Sequence, residues 1–81
     1  MRGSIDAYAV QVLEVSDMER AVQTRRRLVS HGFPAYVAPG PNQRGEPRYR
    51  VRVGDYESED DAKTVQRDLR ESEGLEGQLV R

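Results

Sequence analysis

The chain repeats itself. A shift of 41 positions carries Tyr8 to Tyr49, Val10 to Val51 and Val12 to Val53, and the same shift carries Ala21 to Ala62 and Leu28 to Leu69. One inserted residue later, Gly32 meets Gly74, Ala35 meets Gly77 and Val37 meets Leu79. At 81 residues there is room for one small domain and no more than two packed layers. A unit written twice in so short a chain therefore has to bury its apolar face against its own copy.

Each copy reads as strand, helix, strand. The stretch from Tyr8 to Val15 (YAVQVLEV) is Val-rich and partly alternating, and Ser16-Asp17 ends it. Ser16 with Glu19 has the spacing of a capping box, and Met18, Ala21, Val22, Leu28 and Val29 then share one helical face, with Arg25 snorkelling beside them, until Gly32. FPAYVA reads as the second strand, and PGPNQRGEP as a loop by its Pro, Gly and Asn content. RYRVRVGDYES follows as the third strand. Ser58 with Asp61 opens a second helix along Ala62, Val65 and Leu69 until Gly74, and a short strand through Gln78, Leu79 and Val80 closes the chain. Two such units joined by a hairpin predict βαββαβ, an α+β fold of the ferredoxin-like or RNP type: a four-stranded antiparallel sheet with both helices on one face.

The open face of that sheet follows from strand alternation. If Tyr49, Val51 and Val53 meet the helices, Arg48, Arg50 and Arg52 point away from them. By the same alternation Ala9, Gln11 and Leu13 share the open face, and Ala35 and Val37 go inward while Tyr36 goes outward. A clustered donor surface beside an amide and an aromatic suits a ligand rich in oxygen acceptors, whether phosphate, carboxylate or sugar. A plain solvated face would be expected to intersperse acids among its arginines.

Composition narrows the classes. Lys and Arg number 13 against 14 Asp and Glu, a net charge of −1 that argues against a general nucleic-acid binder. No cysteine and a single His, His31, exclude a disulfide framework, a zinc finger and most nucleophilic catalysis; no metal or cofactor is expected. His31 beside Gly32 reads as a helix-end cation, and the acidic run Glu57, Glu59, Asp60 and Asp61 as first-turn acids, without the spacing of a calcium loop or a glycosidase carboxylate pair. Tyr8, Phe33 and Tyr49 read as core, and Tyr56 as a plug at the helix-sheet junction. No apolar run is long enough for a transmembrane helix or signal peptide, so no direct membrane contact is expected. Residues 1–6 read as an N-terminal tail whose opening Met1-Arg2-Gly3-Ser4 has the look of an expression-vector remnant, and residues 7–81 as the domain.

YAVQV before one helix and RVRVGDYES before the next resemble the sporulation-related repeat, or SPOR, domain, over about residues 7–81. The resemblance implies a non-catalytic, monomeric cell-envelope module of the bacterial periplasm. It implies binding to peptidoglycan glycan strands stripped of stem peptides, as at division septa. Gln11 matches the glutamine of the family's first-strand motif and Arg50 the arginine that opens RVRVG; Arg48, Arg52 and Tyr36 share their face. Glu14 stands at a strand-end position and Leu79 at a last-strand position that touches glycan in the family. After Val10-Gln11-Val12, the glycine, serine and aromatic usual in the family are replaced here by Leu13, Glu14 and Val15. Without that glycine the strand end is expected to bend less easily, and an acid at Glu14 to repel an anionic group, so the site is expected to be shifted or weakened. The alternatives in other classes are a ferredoxin-like protein-interaction domain and an RNA-binding domain. The latter places aromatics where this strand has arginines.

Overall fold

The computed structural model describes residues 7–81, so the expected tail at 1–6 lies outside the described residues. In chain order the elements are β1 (Tyr8–Val15), α1 (Met18–Ser30), β2 (Ala35–Pro41), β3 (Pro47–Tyr56), α2 (Glu59–Asp68), a π-helical turn (Leu69–Glu73) and β4 (Gln78–Val80). All neighbouring strands run antiparallel in the order β2-β3-β1-β4, the expected ferredoxin-like α+β arrangement. Helix α1 covers chiefly β2 and β3, and α2 covers β1, β3 and β4. Exchanging the two halves leaves the strand order unchanged, so a pseudo-twofold axis passes between β1 and β3.

Repeat-equivalent residues accordingly do equivalent work. Asp17 caps α1, its carboxylate accepting from Glu19 N at 3.0 Å, and Ser58 caps α2, its hydroxyl accepting from Asp60 N at 3.1 Å and Asp61 N at 3.3 Å. The expected cap at Ser16 is thus one residue early; the residue that the 41-position shift carries onto Ser58 is Asp17, and it supplies the bond. Both helices end at a glycine in the left-handed region, Gly32 and Gly74. The inserted residue of the second copy also has a place. It falls between Leu69 and Gly74, where the helix widens into its π turn, as a helix does when one residue is added to its ladder. Phe33 N donates to Leu28 O in the first copy; Leu75 N donates to Leu69 O in the second, one residue further back.

The core is built of small aliphatics from both copies. Val10, Val51, Val53, Ala21, Ala62, Leu28 and Leu69 are all fully buried, with Tyr8, Phe33, Tyr49 and Tyr56 packed around them and partly exposed. Burying each leucine stabilises the fold by about 1.5–3 kcal/mol. The expected apolar face of α1 is narrower than its sequence: Ala21 and Leu28 are buried, whereas Met18 and Val29 remain exposed. They lie about a quarter-turn round the helix from the buried pair, by 3.6-residue geometry.

The expected loop PGPNQRGEP shrinks. Pro39, Gly40 and Pro41 belong to β2 and Pro47 to β3, leaving a short turn held by Asn42, whose side-chain oxygen accepts from Arg44 N at 2.9 Å and Glu46 N at 3.0 Å. Proline is tolerated in β2 because that strand lies at the sheet edge, where a missing N–H can face away from the ladder.

Candidate functional site

Cross-strand partners share a face, so the strand register decides what the helix-free face carries. Tyr36, Ala38 and Gly40 of β2 pair with Arg52, Arg50 and Arg48 of β3. On the other side Gln11 of β1 pairs with Arg52 and with Gln78 of β4, and Glu14 pairs with Arg50. The structure thus brings Gln11, Tyr36, Arg48, Arg50, Arg52 and Glu14 onto one surface. Tyr36 is one of the exposed large hydrophobic side chains of the described residues, at 40 %.

One stretch of the site departs from simple alternation. Between Gln11 and Leu13 the register slips, two residues of β1 standing opposite one of β3. This β-bulge turns Leu13 to the helix side, opposite Val51 and against the core, and turns Glu14 to the open face. Leu13 is therefore not an open-face residue. The missing glycine has not kept the strand from bending: among the described residues no non-glycine has a positive φ, so the bulge forms on ordinary backbone. The signal was in the sequence. Apolar residues at 10 and 12 change phase to 13 and 15, and Val12-Leu13 is the slip.

Leu79, a glycan-touching position by the resemblance, keeps to the alternation instead. It pairs with Val10, a core residue, and packs against the core, so it lies on the helix side. The repeat register anticipated this by matching Leu79 with inward-facing Val37. The open-face positions of β4 are Gln78 and Val80 by the same pairing. Gln78, the repeat counterpart of Tyr36, is a polar open-face residue that sequence reasoning did not name for the site. With Gln11, Glu14 and Glu76 it lines a groove of about 410 Å³ beside the short β4.

Each arginine of the face is held through its Nε. Arg48 and Arg50 both donate to Glu14, to Oε2 and Oε1 respectively, each at 3.2 Å. Arg52 donates to Gln11 Oε1 at 3.0 Å. Arg50 spends two more donors on Gly40 O and Pro41 O, each at 3.3 Å, over the small residues of β2. A guanidinium has five N–H groups, so Arg48 and Arg52 keep four each and Arg50 two. The arginine cluster thus has an acid set among it, and the bulge put it there. The Gln11–Arg52 pair sits on the pseudo-twofold axis, since these are repeat-equivalent positions.

On the helix side the axis is marked by another equivalent pair. His31 Nδ1 lies 2.9 Å from Glu73 Oε2, and Arg27 donates to Glu73 Oε1 at 3.2 Å and to its carbonyl at 2.8 Å. His31 thus does more than complement a helix end; it ties α1 to the π turn. Tyr56 packs against the core, and burial, then the nearby Asp61 carboxylate, push its hydroxyl pKa up. No helix among the described residues is long and apolar enough to cross a membrane.

The SPOR domain family model matches residues 5–81. The fold is similar to that of the RlpA SPOR domain from Pseudomonas aeruginosa, with a TM-score of 0.76 at 22 % identity, covering 94 % of this chain and 99 % of that one. It is also similar to the peptidoglycan-binding domain of the B. subtilis cell wall lytic enzyme CwlC, with a TM-score of 0.74 at 21 % identity, covering 99 % and 95 %. No curated protein sequence matches the chain.

Proposed function

This chain belongs to the SPOR domain family, and on that premise we propose that it is a non-catalytic module that binds peptidoglycan through its helix-free sheet face. The ligand is a glycan strand lacking stem peptides, and the module's place is the bacterial cell envelope, on the periplasmic side, where it directs a parent protein to the wall or septum. The observation that carries this reading is the Gln11–Arg52 pair at the centre of the open face, with Tyr36 opposite Arg52. A peptide-free strand exposes hydroxyls, acetamido groups and the lactyl carboxylate of muramic acid. Because Gln11 Oε1 is engaged by Arg52, the amide NH2 is the group left to donate to a sugar oxygen. The terminal amino groups of Arg52 suit the carboxylate in a bidentate pair, and Tyr36 suits the apolar face of a ring. Arg48 extends the donor surface, while Arg50, most of whose donors are engaged, helps to hold the surface flat.

Neutral contacts contribute about 0.5–1.5 kcal/mol each and charged ones about 1.5–3, so several together give roughly micromolar binding by a monomer. The fold alone would also suit RNA, but the open face of β3 carries arginines where base stacking needs aromatics. Pull-down with peptide-free sacculi tests the reading. The Gln11→Ala, Arg52→Ala double variant should lose binding by at least about tenfold while its circular dichroism is unchanged. Undiminished binding would sink the assignment of this face.

A further inference from the structure

We propose that Glu14 is a built-in counter-ion that sets the charge selectivity of the open face, admitting sparsely charged polysaccharide and rejecting polyanions. The proposal rests on reading this face as the ligand face, and concerns what that face excludes. Glu14 reaches it only because the bulge after Gln11 rotates the strand end. Once there, its carboxylate bonds the Nε of both Arg48 and Arg50 at 3.2 Å. Among the described residues it is the only acid paired with the three arginines; Arg52 is held by the neutral Gln11 instead.

The face is therefore divided. At one end a carboxylate lies between two guanidinium groups; at the other Arg52 stands with an amide and Tyr36. A glycan strand with one carboxylate per disaccharide can set that group at Arg52 and lay neutral hydroxyls and acetamido groups over the Glu14 end. A phosphate polymer has no such freedom. Its closely spaced charges must engage Arg48 and Arg50 as well, within a few ångströms of the Glu14 carboxylate, where like charges repel even at a surface. Side chains of Glu14 and Arg50 are only 35 % and 19 % exposed, so water does not screen this contact fully. Removing the carboxylate leaves three uncompensated guanidinium groups in a row, the pattern that binds polyanions by counterion release.

The test titrates the native chain and Glu14→Gln with linear inorganic polyphosphate and, separately, with peptide-free glycan strands, each at low and high salt. Glu14→Gln is expected to gain about tenfold in polyphosphate affinity at low salt, with a steeper salt dependence, and to raise the ratio of polyphosphate to glycan affinity at least about fivefold. No polyphosphate gain in a folded Glu14→Gln protein, with glycan binding retained, overturns the counter-ion role and leaves the glycan reading standing. A polyphosphate gain when neither protein binds glycan removes the glycan reading and upholds the counter-ion role. Equal loss of both ligands assigns Glu14 to holding the arginines in place and overturns the proposal; a parallel Glu14→Ala variant separates this from an effect peculiar to glutamine.

Discussion

The two halves of the molecule share a plan and differ at the ends of their inner strands. In both, a capped helix lies on the sheet and sends one fully buried leucine, Leu28 or Leu69, into a common core. In both, the inner strand is irregular near the position occupied by Leu13 in the first copy and Gly54 in the second. The first copy bulges on ordinary backbone, which sends Leu13 inward and Glu14 outward. The second uses Gly54 at a φ of 89° and packs the ring of Tyr56 over it. The difference teaches where each requirement acts. Apolar positions that repeat hold the fold, and the departures from the repeat give the open face its acid, its amide and its asymmetry.

The largest expected effect tests the shared part. Leu28→Ala and Leu69→Ala should each cost about 2–5 kcal/mol, because both side chains are fully buried and each truncation leaves a cavity in the core. For a domain of this size that is a large share of its total stability, roughly 0.05–0.15 kcal/mol per residue. Urea unfolding followed by far-ultraviolet circular dichroism reads it. If the halves are equivalent in the core, the two losses agree within about 1 kcal/mol, within the scatter of such series. A clearly milder loss at Leu69, where the π turn begins, would break the equivalence.

The next effect tests the difference. An added Cβ at Gly54 would overlap the Tyr56 ring, and the backbone there is in the left-handed region that side chains disfavour. Gly54→Ala should therefore cost about 1–3 kcal/mol and displace the ring. The chain has no tryptophan, so near-ultraviolet dichroism reports on its tyrosines. Unchanged stability and an unchanged tyrosine band would show that the second copy does not depend on its glycine.

The sequence carried the fold because the repeat matched residues with the same burial, and it carried most of the open face because Gln11, Tyr36, Arg48, Arg50 and Arg52 lie where alternation is undisturbed. It misled wherever a strand left the period of two. Leu13 changed faces at a bulge, which also carries Glu14 outward; local propensity does not encode it, but the adjacent Val12 and Leu13 betray it. Pro39 and Pro41 read as breakers because sequence alone does not reveal which strand is an edge. Leu79 is a separate case: the resemblance made it a glycan contact, while its register with Val37 pointed inward, and the structure sets it on the helix side. Reach across the axis was also illegible: nothing local says that Glu73 meets His31.

That contact gives the smallest effect and the finest test of the comparison. His31 and Glu73 are equivalent positions once the inserted residue is counted, and the π turn is what brings the second copy's carboxylate to the first copy's histidine and to Arg27. Burial works to raise the pKa of Glu73, but the hydrogen bonds from His31 and Arg27, and their charges, outweigh it and hold the group below its ordinary 4.5. A folded pKa below the unfolded one means that the unfolded chain takes up this proton first as pH falls. The contribution is fully present above about pH 4.5 and is lost as pH drops through the folded value. His31 and Arg27 are about half exposed, so screening keeps the effect modest. Thermal melts from pH 7 to pH 3 should show Glu73→Gln melting below the native chain at neutral pH, with the gap closing below about pH 4.5. A gap that stays constant through the acid range would mean that Glu73 stabilises by packing alone, and that the inserted residue brings no charge to the axis.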